Sequence, residues 1–208
     1  MMSDYLLLAL LWVAYCAVHS ALISISVTSR SRTALGDYYR FYRLFFNVVA
    51  IGTLMPVIAF THSARFKSGP LLVWRGYWRV AEYSLVALGV ALLVAGARHY
   101  SMLQFLGFLQ LRRESTHRGM TGSGNFDATG VLGLVRHPWY LAVFILLWAR
   151  NLNGASLTVN VVLSIYLVVG TLLEERKLVV EFGEEYRHYQ ERVSMFVPLK
   201  WLSAKRAR

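Results

Sequence analysis

Five apolar segments dominate the chain, and they restrict its possible folds more than any other feature. They lie at about residues 5–27, 44–60, 80–97, 138–150 and 155–173. A helix needs about 20 mostly apolar residues to cross a bilayer. The runs therefore predict an all-α integral membrane protein with about five transmembrane helices. The first run has no Lys or Arg before Arg30 and is too long for a signal peptide, so we expect a retained span.

The composition excludes the common soluble classes. Of the 208 residues, 56% are hydrophobic and 16% are charged, whereas a typical soluble domain has about 25% charged residues. Too few charges remain to cover a small soluble protein, and the chain is too apolar to be disordered. The single cysteine, Cys16, excludes a disulfide framework and an all-cysteine zinc site. The length predicts one domain over residues 1–208.

The charge pattern points to a membrane surface. The net charge is +11, and the cations flank the apolar runs instead of forming one dense stripe. Membrane lipids with anionic headgroups are therefore the expected partner, and nucleic acid is not. Seventeen Lys and Arg residues fall on one side of the predicted spans and five on the other. This split predicts that the N-terminus lies outside and the C-terminus in the cytoplasm.

The last two apolar runs and the tail behind them predict two features. Only residues 151–154 separate the short fourth run from the fifth, which indicates a tight helical hairpin with an Asn/Gly turn. Behind the fifth run, apolar residues recur at spacings of four and three, the pattern of an amphipathic helix at the cytoplasmic face. The apolar positions are Leu178, Phe182, Tyr186, Tyr189, Val193 and Phe196.

Two polar groups lie at the cytoplasmic ends of the hairpin. Arg136 and His137 precede Pro138, which suits the first turn of a helix, and Tyr140 follows within that turn. The pair Glu174-Glu175 directly follows the fifth run. A hairpin returns the chain to its starting side, so both groups should meet in a polar pocket there. The alternative is an interfacial belt of Arg, Trp and Tyr together with ordinary surface ion pairs.

These residues carry a family resemblance. From Gly130 to Pro198, their order and spacing resemble the integral-membrane methyltransferases, which include isoprenylcysteine carboxyl methyltransferase and the phospholipid N-methyltransferases. The front half resembles a bacterial branch, the methanethiol S-methyltransferases and denitrification-linked membrane proteins. The first match rests on Gly130, Val135-Arg136-His137-Pro138, Tyr140, Glu174-Glu175, Phe182-Gly183-x-x-Tyr186-x-x-Tyr189, Val193 and Pro198, the second on His19-Ser20 and Tyr39-Arg40-x-x-Arg43 before Asn47.

The resemblance implies S-adenosylmethionine as the cofactor and a bacterial inner membrane as the location. The cofactor half would cover about residues 98–198, behind the N-terminal spans at 5–97. The cofactor's carboxylate suits a helix N-terminus or Arg136, and its amino group or ribose hydroxyls suit a carboxylate such as Glu174 or Glu175. Its sulfonium suits an aromatic face such as Tyr140. Carried over position by position, the cofactor-binding residues are Gly130, Val135, Arg136, His137, Pro138, Tyr140, Glu174 and Glu175.

The acceptor and the catalytic residues stay open at this point. The prenylcysteine enzymes have an Arg near the end of the span before the Glu pair, where this chain reads Gly-Thr-Leu-Leu at 170–173. Its absence favours a lipophilic or small thiol over a carboxylate, with carboxyl methylation of prenylcysteine and N-methylation of a lipid amine as alternatives. Candidate catalytic residues are Arg176, Arg192 and His19. No metal is expected, because His99 and His117 lack metal-ligand spacing.

Two further function classes compete with the methyltransferase. A non-catalytic accessory protein could keep the same fold, although the intact cofactor motif argues against it. A small transporter should show repeats or broken helix pairs, and the sequence shows neither. Lone polar residues in or beside the spans, His19, Asn47 and Glu82, would either line a substrate cavity or hydrogen-bond between helices.

Overall fold

A computed structural model describes residues 2–66, 69–98, 103, 106–111 and 129–206. These parts form α-helices with short 3-10 turns between them and contain no β-strand longer than an isolated bridge. The helices are α1 (Met2–Ile23), α2 (Ile25–Leu35), α3 (Tyr42–Thr61), α4 (Trp78–Ala97), α5 (Pro138–Trp148), α6 (Gly154–Phe182), α7 (Glu184–Arg192) and α8 (Leu199–Arg206). His99 and His117, considered above as metal ligands, lie outside the described residues.

Four helical segments in the described parts are long and apolar enough to cross a membrane. They are Met2–Ile23, Ile25–Thr61, Trp78–Ala97 and Gly154–Phe182. The shorter α5 has 11 residues, about 16 Å of helix, against a hydrocarbon core of about 30 Å. The prediction of an all-α, multi-pass membrane protein is confirmed.

The first helix ends earlier than the apolar pattern predicts. The hydrophobic run extends to residue 27, but α1 ends at Ile23 and Ser24 caps a second helix. The Ser24 hydroxyl accepts a hydrogen bond from the Val27 amide at 3.3 Å, so its side chain satisfies an amide that has no partner within the first turn. The apolar pattern does not predict such a cap, so it placed the end of the first helix too late.

Contact density divides the chain into two compact units that interleave in sequence. The first comprises Met1–Val73, Met102–His117 and Asn151–Tyr166. Its core contains Leu8 and Trp12 from α1, Val57 from α3, and Ala155 and Val159 from α6. Polar contacts also join distant segments of this first unit. The Trp12 indole on α1 donates to the Thr61 hydroxyl on α3 at 3.0 Å. The Asn47 amide donates to the Leu106 carbonyl at 2.9 Å, so Asn47 forms a hydrogen bond to a distant part of the chain.

The second unit comprises Trp74–Ser101, Arg118–Arg150 and Leu167–Arg208. Two glycines on α4, seven residues apart, meet two large side chains on α5, also seven apart. A Cβ at Gly89 would lie 2.8 Å from Leu146, and one at Gly96 would clash with the Trp139 ring. Because glycine has no side chain, α4 and α5 approach closely as an antiparallel pair. The Trp139 indole then donates to the Leu93 carbonyl at 3.0 Å.

The tail differs from the single amphipathic helix that its spacing predicts. Helix α6 ends at Phe182, Gly183 adopts φ +57°, and α7 covers only Glu184–Arg192. Val193 is extended, so the predicted apolar face continues past the helix as a strand-like segment. There Val135 and Ser194 form a parallel bridge. A residue with positive φ cannot continue a right-handed helix, and glycine adopts it without strain.

Candidate cofactor site

The site begins at the N-terminus of α5. Pro138 occupies the first helical position and His137 the N-cap, and both are buried. The backbone before them is held by the tail, since the Arg136 amide donates to the Ser194 carbonyl at 2.9 Å and the His137 amide to the Met195 carbonyl at 3.2 Å. Two consecutive backbone bonds fix where the Arg136 and His137 side chains start.

Glu175 is the centre of the polar cluster. Its Oε1 accepts from Arg136 Nε at 2.6 Å and lies 3.1 Å from His137 Nε2. Its Oε2 accepts from Gln190 Nε2 at 2.9 Å. The carboxylate is buried, and Tyr186 approaches Oε1 at 3.5 Å. Both oxygens are therefore engaged by the protein itself, and Glu175 fixes the positions of its neighbours.

Arg136 joins the cluster to the tail. Besides Glu175, its guanidinium donates through Nη1 to the carbonyls of Gln190, at 3.1 Å, and Val193. The Lys200 ammonium donates to the same Gln190 carbonyl at 2.6 Å. A buried guanidinium bonded to one carboxylate and two carbonyls is a satisfied cation, so Arg136 holds α5, α6 and α7 together.

Glu174, the adjacent carboxylate, is in a different state. Its Oε2 is buried and has no hydrogen-bond partner among the described residues. Its closest basic neighbour is His137 Nδ1 at 3.9 Å, beyond hydrogen-bonding distance. The Glu174 side chain as a whole is 32% exposed, but a buried carboxylate oxygen without a donor is unfavourable. Glu174 Oε2 is therefore the position in the cluster where a hydrogen-bond donor from a ligand would be stabilised.

Aromatic rings enclose the cluster. Tyr140 packs edge-on against His137 with centroids 5.5 Å apart, and Phe196 lies 6.3 Å away. Tyr189 donates its hydroxyl to the Leu132 carbonyl at 2.6 Å. Burial, together with the nearby Glu175 carboxylate, raises the pKa of the Tyr186 phenol, which stays protonated and can donate. The tail thus covers the cluster with tyrosines that keep water away from the buried ion pair.

The structure brings most of the sequence-predicted residues together. Arg136, His137 and Glu175 are in direct contact, and Glu174 and Tyr140 adjoin His137. Val135 and Gly130 are supporting positions. Val135 is buried beside the tail, and Gly130 opens a 3-10 turn with φ +57°. That these residues, with Pro138, bind a cofactor stays a prediction.

The three candidate catalytic residues lie elsewhere. Arg176 is exposed on α6. Arg192 is exposed on α7 and donates to the His188 carbonyl at 3.2 Å. His19 belongs to the first unit, where aromatic rings surround it. None of the three takes part in the described contacts of Glu174 or Glu175.

Gln190 is the functional neighbour that sequence reasoning missed. It binds Glu175 through its side chain and Arg136 through its carbonyl. Its signal was positional, since Gln190 lies four residues after Tyr186 and therefore on the same face of α7. Gln190 is neither charged nor aromatic, so the charge and aromatic patterns of the sequence do not mark it.

Comparison with known proteins finds several relatives, and all those described here are named methanethiol S-methyltransferase. The chain is 48% identical over 65 residues to methanethiol S-methyltransferase 1 of Bradyrhizobium diazoefficiens, which is 31% of this chain and 23% of that protein. It is 30% identical over 121 residues to the methanethiol S-methyltransferase of Crocosphaera subtropica, which is 58% of this chain and 47% of that protein. For the enzyme of that name from Mycobacterium tuberculosis, identity is 28% over 138 residues, 64% of this chain and 56% of that protein.

These matches cover only part of each relative. Each covers less than two thirds of the relative's own length. No family model matches the chain, and no solved structure matches it. The resemblance to bacterial methanethiol S-methyltransferases that the motifs indicate is confirmed, and over the matched stretches this chain is similar to that family of membrane methyltransferases.

Proposed function

We propose that the protein is a membrane-embedded methyltransferase that uses S-adenosylmethionine to methylate a thiol. The relatives described above are all named methanethiol S-methyltransferase. The structural observation that supports the proposal is the unpartnered Glu174 oxygen beside His137, in a cluster whose other charges are satisfied. A non-catalytic protein that kept the fold would have no need for a buried carboxylate oxygen without a donor.

The residues present fit this cofactor. Glu174 would accept a hydrogen bond from its amino group or ribose hydroxyls, and Tyr140 would face the cationic sulfur. The bound cofactor supplies an electrophilic methyl group on that sulfonium. Glu175 keeps Arg136 and His137 in place, and the tyrosines of α7 exclude water. Methyl transfer requires alignment and a dry site more than covalent catalysis.

The acceptor we propose is small or lipophilic and carries a thiol. No arginine precedes Glu174 at residues 170–173, so the stretch offers no cation for a carboxylate substrate. A Cβ at Gly170 would lie 3.9 Å from the Tyr140 ring, which gives an apolar contact at that point. A neutral thiol fits such surroundings better than a charged metabolite does, because it loses little hydration there.

The orientation we propose places the cofactor cluster at the cytoplasmic face of a bacterial inner membrane. Seventeen of the 22 Lys and Arg residues lie on the side that includes Arg136 and the tail. Positively charged segments are retained in the cytoplasm, where a water-soluble cofactor is available. The N-terminal end of α1 would then face outward.

Calorimetric titration of S-adenosylhomocysteine, the product form of the cofactor, into the detergent-solubilised protein tests the site. Glu174→Gln removes the charge but keeps the size, and we expect affinity to fall about ten- to a hundredfold, as for the loss of a charged hydrogen bond. Glu184→Gln is the matched control. Its carboxylate is 74% exposed and pairs with Arg187 at the surface, so affinity should stay unchanged.

Product analysis with labelled S-adenosylmethionine tests the acceptor. Ethanethiol and a prenylcysteine with a free carboxylate form the matched pair, and we expect label on the thiol. Label only on the carboxylate would contradict the acceptor assignment.

In the calorimetric titration, equal affinity of the wild type and Glu174→Gln for S-adenosylhomocysteine would contradict the proposed site.

A further inference from the structure

The connection between α1 and α3 is longer than an antiparallel helix pair needs, since such connections commonly have about 2–8 residues. Trp12 in the middle of α1 donates to Thr61 at the end of α3. His19 near the end of α1 contacts Phe46 near the start of α3. The two helices therefore run in opposite directions, and the end of α1 lies beside the start of α3. Residues 25–41, which we call the connecting segment, nevertheless separate them as α2 followed by a six-residue 3-10 helix.

Helix length places the connecting segment outside the hydrocarbon core. The helical stretch Ile25–Thr61 has 37 residues, about 55 Å of helix, whereas the core is about 30 Å thick. Helix α3 alone has 20 residues and spans about 30 Å. The chain also changes direction at Ser24, which is extended, and at Gly36, which has φ +50°. Helix α3 therefore has the length to cross the membrane by itself, and the connecting segment is left at one end of the spans.

A series of contacts holds the connecting segment on the ends of both spans. The Arg32 guanidinium on α2 lies over the Tyr39 ring, 5.1 Å from its centroid. Tyr39 in turn stacks on Tyr42, the first residue of α3, with ring centroids 5.3 Å apart. The Tyr42 hydroxyl donates to the Leu22 carbonyl of α1 at 2.7 Å. These contacts tie α2 to α3 and to α1, so the segment has a fixed position at the ends of the two helices.

The surface of the connecting segment is rich in cations and aromatic rings. Arg30, Arg32 and Arg40 are exposed, and Asp37 is the segment's single carboxylate. Among the residues that the structure describes, none of these arginines forms an ion pair. Arg32 and Arg40 instead lie over aromatic rings, and Tyr38 is exposed beside them. A guanidinium stacked on a ring keeps its N–H edge available for phosphate oxygens, and tyrosine is typical of the headgroup region.

We propose that the connecting segment lies in the headgroup layer of one leaflet and that Arg30, Arg32 and Arg40 bind the phosphate groups of anionic phospholipids. Three cations against one carboxylate complement a negative lipid surface, and each basic group near such a surface adds to the attraction. The spans hold the segment where lipid phosphates are already concentrated, whereas a soluble acidic partner would have to be recruited there. All of these residues belong to the first unit, and their binding of lipid is independent of methyl transfer.

Depth measurement in vesicles of phosphatidylcholine and phosphatidylglycerol tests the location of the segment. In a Cys16→Ser background, Tyr38→Cys and Ile51→Cys each carry one fluorophore, at positions that are 70% and 62% exposed in the native chain. Ile51 lies midway along α3. A nitroxide on the lipid headgroup should quench the label at residue 38 more strongly, and a nitroxide near the end of the acyl chain should quench the label at residue 51 more strongly. The same order of quenching at both residues would overturn the interfacial location.

Lipid retention in native mass spectrometry tests the arginines, measured as the preference for phosphatidylglycerol over phosphatidylcholine. We expect Arg32→Gln with Arg40→Gln to lower that preference about ten- to thirtyfold, because each cation near an anionic lipid surface contributes about fivefold. Arg32→Lys with Arg40→Lys keeps both charges and should retain most of the preference. Arg65→Gln with Arg187→Gln is the matched control. It removes two exposed arginines that already pair with a carboxylate, so the preference should stay close to that of the wild type.

Three results would contradict the proposal. Equal losses in the two glutamine double variants, or no loss in either, would overturn the assignment of lipid binding to this segment. Release of phosphatidylglycerol by millimolar glycerol phosphate would show that the arginines bind a soluble phosphate instead of the bilayer. Unfolding in phosphatidylcholine alone shows whether each variant is as stable as the wild type. The depth measurement retains all three arginines, so it tests the location even where a glutamine variant fails to fold.

Discussion

Two adjacent glutamates show how different the roles of neighbouring residues can be. Adjacent positions on a helix point about 100° apart, so Glu174 and Glu175 face different surroundings. Glu175 meets Arg136, His137 and Gln190, whereas the Glu174 Oε2 meets no donor in the described part of the chain. We therefore propose that Glu175 organises the cluster and that Glu174 is the carboxylate available to a ligand.

This assignment predicts opposite effects of the same substitution. Glu175→Gln leaves the buried Arg136 without its counter-charge, and we expect a loss of stability of about 3–5 kcal/mol, as for breaking a buried ion pair. Glu174→Gln breaks no described hydrogen bond and neutralises a carboxylate whose buried oxygen has no donor, so stability should stay the same or rise by up to about 0.5 kcal/mol. Unfolding of both variants in the same detergent, without cofactor, provides the measurement. A larger destabilisation by Glu174→Gln would reverse the two roles.

At the residue scale, the sequence predicted which residues form the Glu175 cluster, but it did not predict which hydrogen bonds they make. A hairpin brings Arg136 and His137 to Glu175, and that juxtaposition follows from two apolar runs and a short turn. The distribution of hydrogen bonds does not follow, because it depends on the tail carbonyl of Val193 and on Gln190, which no charge pattern marks. Every residue carries a backbone carbonyl, so the residue types do not show which carbonyl will accept a hydrogen bond.

At the scale of the elements, Gly183 determines how the tail packs. With φ +57° it ends α6, and α7 then directs Tyr186 and Tyr189 into a core with Val193. The tyrosines that cover Glu175 therefore depend on one backbone conformation. The sequence predicted the apolar face correctly as a pattern, but the pattern has the same spacing whether or not a glycine interrupts the helix.

Substitution at Gly183 isolates this backbone effect. An added Cβ meets no atom within 4 Å, so the cost of Gly183→Ala is that of placing alanine at φ +57° and ψ −130°, a backbone conformation that glycine adopts freely, about 1–3 kcal/mol. Gly52→Ala on α3 is the matched control. It too meets nothing within 4 Å, but it lies inside a helix with ordinary φ, where alanine is neutral or favourable. Chemical unfolding should separate the two, and equal stabilities would show that Gly183 is not required.

At the scale of the whole molecule, the apolar runs predicted the class of protein and the charges predict its orientation. Four described segments can cross a membrane and α5 is shorter, so the helices do not fix by themselves which loops share a side. The stretch between the second and third apolar runs carries cations too, at Arg65, Lys67, Arg75 and Arg79, but these are outnumbered by the cations counted on the proposed cytoplasmic side. The proposed orientation therefore rests on the seventeen-to-five split of Lys and Arg residues.

The orientation can be tested with the chain's own cysteine content. Cys16 is the single cysteine, so a Cys16→Ser background accepts one new thiol at a time. Tyr77→Cys lies before α4 at a position that is 96% exposed, and Ser203→Cys is exposed on α8. In intact bacterial cells, a membrane-impermeant maleimide should label Tyr77→Cys and spare Ser203→Cys, and permeabilisation should make both reactive. Labelling of Ser203→Cys in intact cells would place the tail outside. The Glu174 cluster would then lie away from the cytoplasmic pool of cofactor, because charge retention and cofactor access require the same side.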